Sequence, residues 1–571
     1  MMMRLRQQDD DSTVILLYLF SIVLLSILFI VYQQQQRATA IFNNKQKAAN
    51  GHYFPIAPGY IPFLGHALSL SNADEFLSIL TKWSNQIVGK DDDNDDHGIY
   101  EFSLFGKRWI VCCTADTFME IFRLRPSNKV KRASQMSNAI SSLGVEGMFN
   151  AEGYHWKNDR RLVGPTLNKN HMKDYFESMK LVTNRLIVKW EKKKMKEEEE
   201  DSNNNSVVVS TVVSDLSNYS LDVTALCILG MDFNTVTNPL NNDLANDIES
   251  LFKVVFMRAL APVPYWQIPF CSNIDGGRVL AENTLRVFGS LVDDYRKQKE
   301  KKKKRLQQDQ QVDNKDMHHA NGSGEGAVAT KTCLQKLIDA SDGDDARLDK
   351  ERVVGNLTTL LLAGTDTTST TLAVCLWEIA NDLVLQEELY QEVTTSGFDM
   401  DRLTLKDVMN GFPRLHSLLF EVLRVKGPGS FIFLEPVEPI KFHGRVINPG
   451  TCICALTRSL GEKAASEVPR GPNGEGAEVF CPRRWLQHSS EGESVTVIQP
   501  TNKHGGFMPF GTGVRICPGA NFAKVEAITG LFCLLKRFEL APIADHPPLR
   551  RVTRFTQTFD SEIQLILKPR Q

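Results

Sequence analysis

The sequence predicts a mainly helical α+β domain preceded by one transmembrane helix. Three observations carry that expectation: an uncharged apolar run near the N-terminus, long amphipathic stretches separated by charged inserts, and strand-like pieces that are few and short. With 571 residues the chain is long enough for several average domains. Length is only a soft bound, and the motifs below belong to one unit, so one large domain plus an anchor is expected.

The apolar run, Val14–Tyr32, reads VILLYLFSIVLLSILFIVY. At ~1.5 Å per residue a helix of that length spans roughly the hydrocarbon core. A cleaved signal peptide is the competing reading, with Arg4 and Arg6 as its basic start and Ala38-Thr39-Ala40 as a small-residue site. The run exceeds the ~7–15 residues usual for such peptides, which favours the anchor. Arg37, Lys45 and Lys47 outnumber Arg4 and Arg6, an asymmetry that places the body in the cytosol. The expected organisation is a tail at 1–12, an anchor at 13–32, a polar and proline-rich linker at 33–60 and one large folded domain at 61–571. Pro55, Pro58 and Pro62 fix φ and make the end of the linker a stiff hinge.

Charge is balanced, 66 Lys+Arg against 68 Asp+Glu, so no basic field points to nucleic acid. The 11 cysteines are odd in number and lack the paired spacing of a zinc site or disulfide framework, as in a reducing compartment. Cys112-Cys113 and Cys452-x-Cys454 lie in apolar strand-like stretches and read as core residues. Inserts at Asp91–Asp96, Lys192–Asp201, Lys299–Gly326 and Gly471–Gly476 read as solvated loops or helix ends, including the basic run Lys301–Arg305. The strand-like pieces are Ile99–Leu104 with Trp109–Cys112, and Thr451–Leu456.

The strongest signal is Phe507-Met-Pro-Phe510-Gly511-Thr-Gly513-Val-Arg515-Ile-Cys517-Pro518-Gly519, running into an amphipathic segment through Ala523 and Glu526. A cysteine at a helix N-terminus meets unpaired N–H groups and the positive end of the macrodipole, which together are expected to lower the thiol pKa. Glycines let backbone approach a flat ligand, and Pro518 suits the first helical position. In these residues the chain resembles the cytochrome P450 superfamily, whose loop is Phe-x-x-Gly-x-Arg-x-Cys-x-Gly. Phe510, Gly513, Arg515, Cys517 and Gly519 fill every fixed position. The resemblance implies a P450 fold, helix-rich with small β-sheets around a buried haem b. It makes Cys517 the axial ligand of the haem iron, pairs Arg515 with a propionate and sets Phe510 as a shield for the sulfur.

Between Glu351 and Phe412 there is no proline, and Arg352–Leu383 reads as one helix of about 46 Å. In its middle, where burial should be greatest, stands Ala363-Gly364-Thr365-Asp366-Thr367-Thr368-Ser369-Thr370-Thr371, a run of poor helix formers that predicts a functional distortion. It matches the superfamily's (Ala/Gly)-Gly-x-(Asp/Glu)-Thr-Thr element. By that resemblance Ala363 and Gly364 leave room for dioxygen, while Asp366 and Thr367 support proton delivery in a site too dry to supply protons otherwise. The plain alternative is a helix whose hydroxyls bond to its own carbonyls.

Glu421-Val-Leu-Arg424 sets acid and base one turn apart within an apolar stretch, so both charges should be buried and partnered. Phe480-Cys-Pro-Arg483-Arg484-Trp485 resembles the family's Pro-x-Arg-(Phe/Trp) element, which implies a structural Glu421–Arg424–Arg484 network. Trp156-Lys-Asn-Asp-Arg160 resembles the family's Trp-x-x-x-Arg, two donors on one helix face for a haem propionate. Many relatives carry a basic propionate partner beyond the position of Arg424; here the chain reads Ser430-Phe-Ile-Phe-Leu-Glu435.

The resemblance runs from Pro55 to the C-terminus. It implies a monooxygenase that inserts one atom of dioxygen into a small apolar substrate: a lipid, sterol, fatty acid or terpenoid. No flavin domain follows the last motif, so NADPH enters only through a separate NADPH-cytochrome P450 reductase, with cytochrome b5 as an optional second donor. The expected location is the endoplasmic reticulum membrane, single-pass. Two rivals share the fold: an oxygen-independent isomerase or dehydratase, which would not need Asp366 and Thr367, and a non-catalytic haem-binding sensor. The segments Met136–Met148 and Phe256–Phe270 are expected to line the substrate pocket.

Overall fold

Apolar residues recurring at helical spacing produce long helices here. The computed structural model describes residues 54–570 apart from 88–97, 126–128, 199–206, 240–242, 262, 272, 314–330, 344–347, 430, 458–467, 490–493, 501–506, 545, 548 and 554–555. The expected tail and anchor, the linker up to residue 53 and the Asp91–Asp96 insert lie outside the described residues. Seven helices position the site: α1 Gly153–Thr166, α2 Val212–Thr224, α3 Gly277–Asp313, α4 Lys350–Asn381, α5 Leu383–Thr395, α6 Pro413–Val425 and α7 Ala520–Arg537.

Helix α4 crosses the core and packs most extensively on α2, with α7 and α6 on its other flanks. It starts where Asp349 accepts the Arg352 N–H at 2.7 Å. It ends at Asn381, short of the expected Leu383, because Asp382 adopts an extended conformation and caps α5 by accepting the Leu385 N–H at 2.9 Å. Helix α2 continues as a π-helical turn, Ala225–Leu229, that stops at Gly230 with φ 76°. Val212–Leu229 is the one helix among the described residues long and apolar enough to cross a membrane, and 72% of it is buried inside the protein, which makes it a core element.

Five strands, β1 Ile99–Leu104, β2 Lys107–Cys112, β3 Val130–Arg132, β4 Ile432–Pro436 and β5 Cys452–Ala455, form a sheet in the order β1-β2-β5-β4-β3. All its pairs are antiparallel except β2 with β5, where Cys112 lies beside Ala455. Cys112, Cys113, Cys452 and Cys454 are buried free thiols in its core, where burial pushes the thiols of Cys112, Cys452 and Cys454 up. Phe54 and Ala57 are buried, the Ala57 N–H donates to the Glu101 carbonyl and the Glu101 N–H to the Pro55 carbonyl, both at 2.8 Å, so the last part of the expected linker docks on β1. The hairpin β6 Arg551–Thr553 with β7 Gln557–Phe559 rests beside α4. Lys301–Arg305 forms an exposed stretch inside α3, as a solvated helix would.

Candidate functional site

Glycine shapes the cysteine loop. Gly511 and Gly513 hold φ of 72° and 62°, a left-handed region that side chains disfavour, and the turn closes where the Cys517 N–H donates to the Phe510 carbonyl at 2.8 Å. Gly519 caps α7, so Pro518 precedes the helix instead of occupying its first position, and Cys517 stands just ahead of the N-terminus. The sulfur opens onto a cleft of about 630 Å³ walled by Arg160, Gly164, Phe507, Phe510 and Lys524. Burial pushes the Cys517 thiol up, against the opposing pull of the Gly519 N–H and Arg160. The expected lowering is therefore corrected: although the residue is exposed along the cleft, desolvation of its thiol outweighs the helix terminus.

A basic rim adjoins this loop. Helix α1 is tied to the start of α4 by the Arg352–Asp159 ion pair, with Nε 3.2 Å from Oδ1 and the acid fully buried. Its Trp156 ring lies 4.0 Å from the Arg515 guanidinium. Arg515 donates to the Ala151 carbonyl at 3.0 Å and pairs with Glu152, whose other oxygen accepts from Arg125 Nη2 at 2.7 Å and from the Arg132 N–H at 2.8 Å. The Arg132 guanidinium lies 3.9 Å from the Phe149 ring centre and donates to the Phe149 carbonyl at 2.9 Å. Burial lowers the pKa of Arg132 to about 9 and of Arg515 to about 10. Arg125 and Arg515 thus share the carboxylate of Glu152, with the Arg132 guanidinium on Phe149 and Arg160 toward Cys517 close by, and the buried Arg125 Nε has no partner. Such a surplus of partly buried cations calls for an anion of more than one charge, which suits the two carboxylates of a haem.

Sequence reasoning missed Arg125 and Arg132 because neither sits at a fixed spacing from a motif. The one signal was negative: Glu435, found where a basic residue was sought, instead accepts the Ser134 N–H at 3.0 Å and the Ser134 hydroxyl at 3.2 Å, capping the helix Ser134–Ser141.

In the middle of α4 the expected distortion is absent, and the run Ala363–Thr371 stays α-helical. Its hydroxyls bond back to the helix: Thr365 to the Leu361 carbonyl at 2.9 Å, Thr367 to Ala363 at 2.7 Å and Thr371 to Thr367 at 2.8 Å. Nor is this stretch the most buried. Ala363 is exposed and Thr359, Leu360, Gly364, Asp366 and Thr367 are half-buried, a stripe at i, i+3, i+4 spacing along one face of an otherwise buried helix. Free space borders that face. Asp366 accepts a hydrogen bond from Thr556, a buried residue at the turn between β6 and β7.

Glu421, Arg424 and Arg484 come together as expected, with side chains wholly buried. Glu421 receives Arg424 at 2.7 and 2.9 Å, Arg484 at 3.0 Å, the Trp485 indole at 2.9 Å and the Cys481 N–H at 2.8 Å. Arg484 spends its remaining donors on the carbonyls of Pro469, Gly476 and Val479 at 2.6–2.8 Å. The Gly471–Gly476 insert is a solvated loop as expected, with Pro472, Asn473 and Gly474 exposed, and its Gly476 carbonyl reaches in to the buried guanidinium. Arg483 pairs with Glu388 on α5 at 3.1 Å.

Cys517, Phe510, Arg515, Trp156 and Arg160 therefore share one neighbourhood; Ala363, Gly364, Asp366 and Thr367 share the open face of α4 and do not line the cleft at Cys517. Of the expected pocket segments, Met136, Met148 and Phe256 are buried, whereas Phe270 is fully exposed and faces solvent.

The sequence profile of the cytochrome P450 family matches residues 55–560. A bifunctional cytochrome P450/NADPH–P450 reductase of Gibberella moniliformis is 24% identical over 401 residues, covering 69% of this chain and 31% of that protein. The chain thus spans about a third of that relative's length. Lanosterol 14-alpha demethylase of Macaca fascicularis is 30% identical over 232 residues, 40% of this chain and 42% of the relative. The crystal structure of the cytochrome P450DA heme domain superposes with a TM-score of 0.68 at 20% identity, over 91% of this chain and 98% of the other.

Proposed function

Because the chain belongs to the cytochrome P450 family, we propose that it is a haem-thiolate monooxygenase acting on an apolar organic substrate, with Cys517 as the sulfur ligand of the iron. The observation that carries this reading is the junction of that sulfur with a rim of arginines, two of which share the one Glu152 carboxylate. Haem b, the cofactor of the family, supplies the redox chemistry of dioxygen when bound. Cys517 binds it through sulfur, with Phe510 beside the sulfur and Gly513 and Gly519 giving the loop its turn. Arg515, Arg160 and the Trp156 indole offer donors to the carboxylates, joined by Arg125 and Arg132 in place of the basic residue missing near Glu435. On the far side, Ala363 and Gly364 keep the face of α4 open. Asp366 moves protons inward, and Thr367, whose own hydrogen goes to the Ala363 carbonyl, presents lone pairs to a proton-carrying water. The Glu421–Arg424–Arg484 network holds the segment behind the cysteine loop and takes no part in chemistry.

Electrons come from an NADPH-dependent reductase; the fungal relative, whose name joins both activities in one protein, supports that source. Cytochrome b5 is an optional second donor. A sterol, terpenoid, other lipid or fatty acid suits an apolar pocket, and the similarity to lanosterol demethylase supports this class. The Val14–Tyr32 run anchors the domain, residues 61–571, to the endoplasmic reticulum membrane. Reduction of the full chain under carbon monoxide tests the assignment: the red-shifted Soret band of a thiolate complex is expected, with Cys517→Ala losing it. A band at the position of histidine-ligated haem overturns the reading.

A further inference from the structure

One buried acid has no part in this scheme. Glu526 lies on α7, nine residues beyond Cys517, with no solvent exposure. Its Oε1 is 2.8 Å from the Ser220 hydroxyl of α2, and the same hydroxyl is 3.2 Å from the Gly364 carbonyl of α4. Its Oε2 has no partner.

Counting hydrogens decides the state of this group. A serine hydroxyl has one hydrogen and two acceptor lone pairs. If Glu526 were ionised, Ser220 would satisfy either the carboxylate or the Gly364 carbonyl, and the other close approach would set two acceptors against each other. With a proton on Glu526, the acid donates to Ser220 and Ser220 donates to Gly364, and both contacts are satisfied. An unpartnered Oε2 is tolerable as the carbonyl oxygen of a neutral acid but costly as half of a buried carboxylate. Burial, opposed only by the bond with Ser220, pushes this carboxyl well up.

We propose that Glu526 is a positioning residue that donates its proton to Ser220 and through it fixes the Gly364 carbonyl, locking the helix that leaves the cysteine loop to the open face of the dioxygen-side helix. The lock is local and tight. A Cβ on Gly364 would stand 2.6 Å from Thr224 Cγ2, and Thr224 and Thr365 share a hydroxyl contact at 3.0 Å one position on. The consequence for turnover rests on the monooxygenase reading; the protonation and bonding of Glu526 do not.

Infrared difference spectra of the haem-loaded full chain against Glu526→Gln test the bonding directly. A carbonyl stretch of a protonated carboxylic acid is expected, lost in E526Q, shifted in Ser220→Ala and unmoved by bulk pH across the neutral range. Glutamine retains an N–H donor for Ser220, so E526Q keeps the ratio of product to NADPH consumed within about twofold, whereas S220A lowers it about fivefold. S220A removes one oxygen atom and avoids the folding risk of Glu526→Ala. Absence of the band, its appearance only in acid, or S220A leaving both band and coupling unchanged overturns the proposal. A protein that shows the shifted band but forms no thiolate–carbon monoxide complex retains the lock and loses the monooxygenase reading instead.

Discussion

Asp366 and Thr367 are neighbours on α4 with different hydrogen bookkeeping. Thr367 gives its hydrogen to the Ala363 carbonyl, while Asp366 receives one from Thr556 across the turn of the β6–β7 hairpin. If Asp366 carries protons inward, Asp366→Asn removes the titrating group and is expected to lower turnover about a hundredfold. Thr556→Val leaves the carboxyl but removes the hydroxyl that holds it in place, so a smaller loss of turnover is expected. NADPH-supported turnover checks both, and a T556V rate equal to the parent's would show that Thr556 does not hold the acid.

Between elements, the decisive contact is the approach of α2 to α4. Glycine in mid-helix costs about 1 kcal/mol relative to alanine, so an isolated helix would gain from Gly364→Ala. Here the added Cβ meets Thr224 Cγ2 at 2.6 Å, and overpacking of that kind costs about 1–3 kcal/mol. Thr224 has little freedom to rotate away, because its hydroxyl is bonded to the Ser220 carbonyl at 2.7 Å and the Leu221 carbonyl at 3.1 Å. G364A is therefore expected to lower the denaturant midpoint. Adding Thr224→Ser, which deletes the methyl and keeps the hydroxyl, should restore it. A single G364A protein more stable than its parent would contradict the packing described. The same close approach explains why a run of poor helix formers stays helical: tertiary contact with α2 and back-bonded hydroxyls replace what propensity withholds.

Across the whole molecule, what could be read in the sequence was what spacing fixes. The cysteine loop, Trp156 with Arg160, and Glu421 with Arg424 are local in the chain, and the structure sets each group together. Arg125, Arg132, Ser220, Glu526 and Thr556 act through partners far along the chain, and no local pattern announces such pairs. The end of α4 was legible and misread, since Asp382 is an ordinary capping residue. The sign at Cys517 was missed because a helix terminus was weighed without the desolvation around it.

Long-range pairing also sets the response to acid. Arg258 and Asp275 clamp the two sides of the loop that precedes α3: Arg258 Nε and Nη2 donate to Asp275 at 2.7 and 2.8 Å, joined by the Tyr265 hydroxyl at 2.7 Å and the Gly277 N–H at 2.9 Å. Burial alone would raise the Asp275 pKa, but Arg258, Tyr265 and the Gly277 N–H outweigh it and bring it down to about 2. A carboxyl with a depressed folded-state pKa contributes stability that is present above its unfolded value and lost as pH falls through the folded one. For Asp275 that contribution is about 2 kcal/mol, lost between roughly pH 4 and pH 2. Asp275→Asn should destabilise the protein at neutral pH by about 3–5 kcal/mol, since it leaves the buried Arg258 unpaired, and should flatten the acid limb of stability in that window. Unfolding midpoints of parent and variant measured down the pH scale decide it: parallel curves through the window would mean that the pair carries no acid sensitivity.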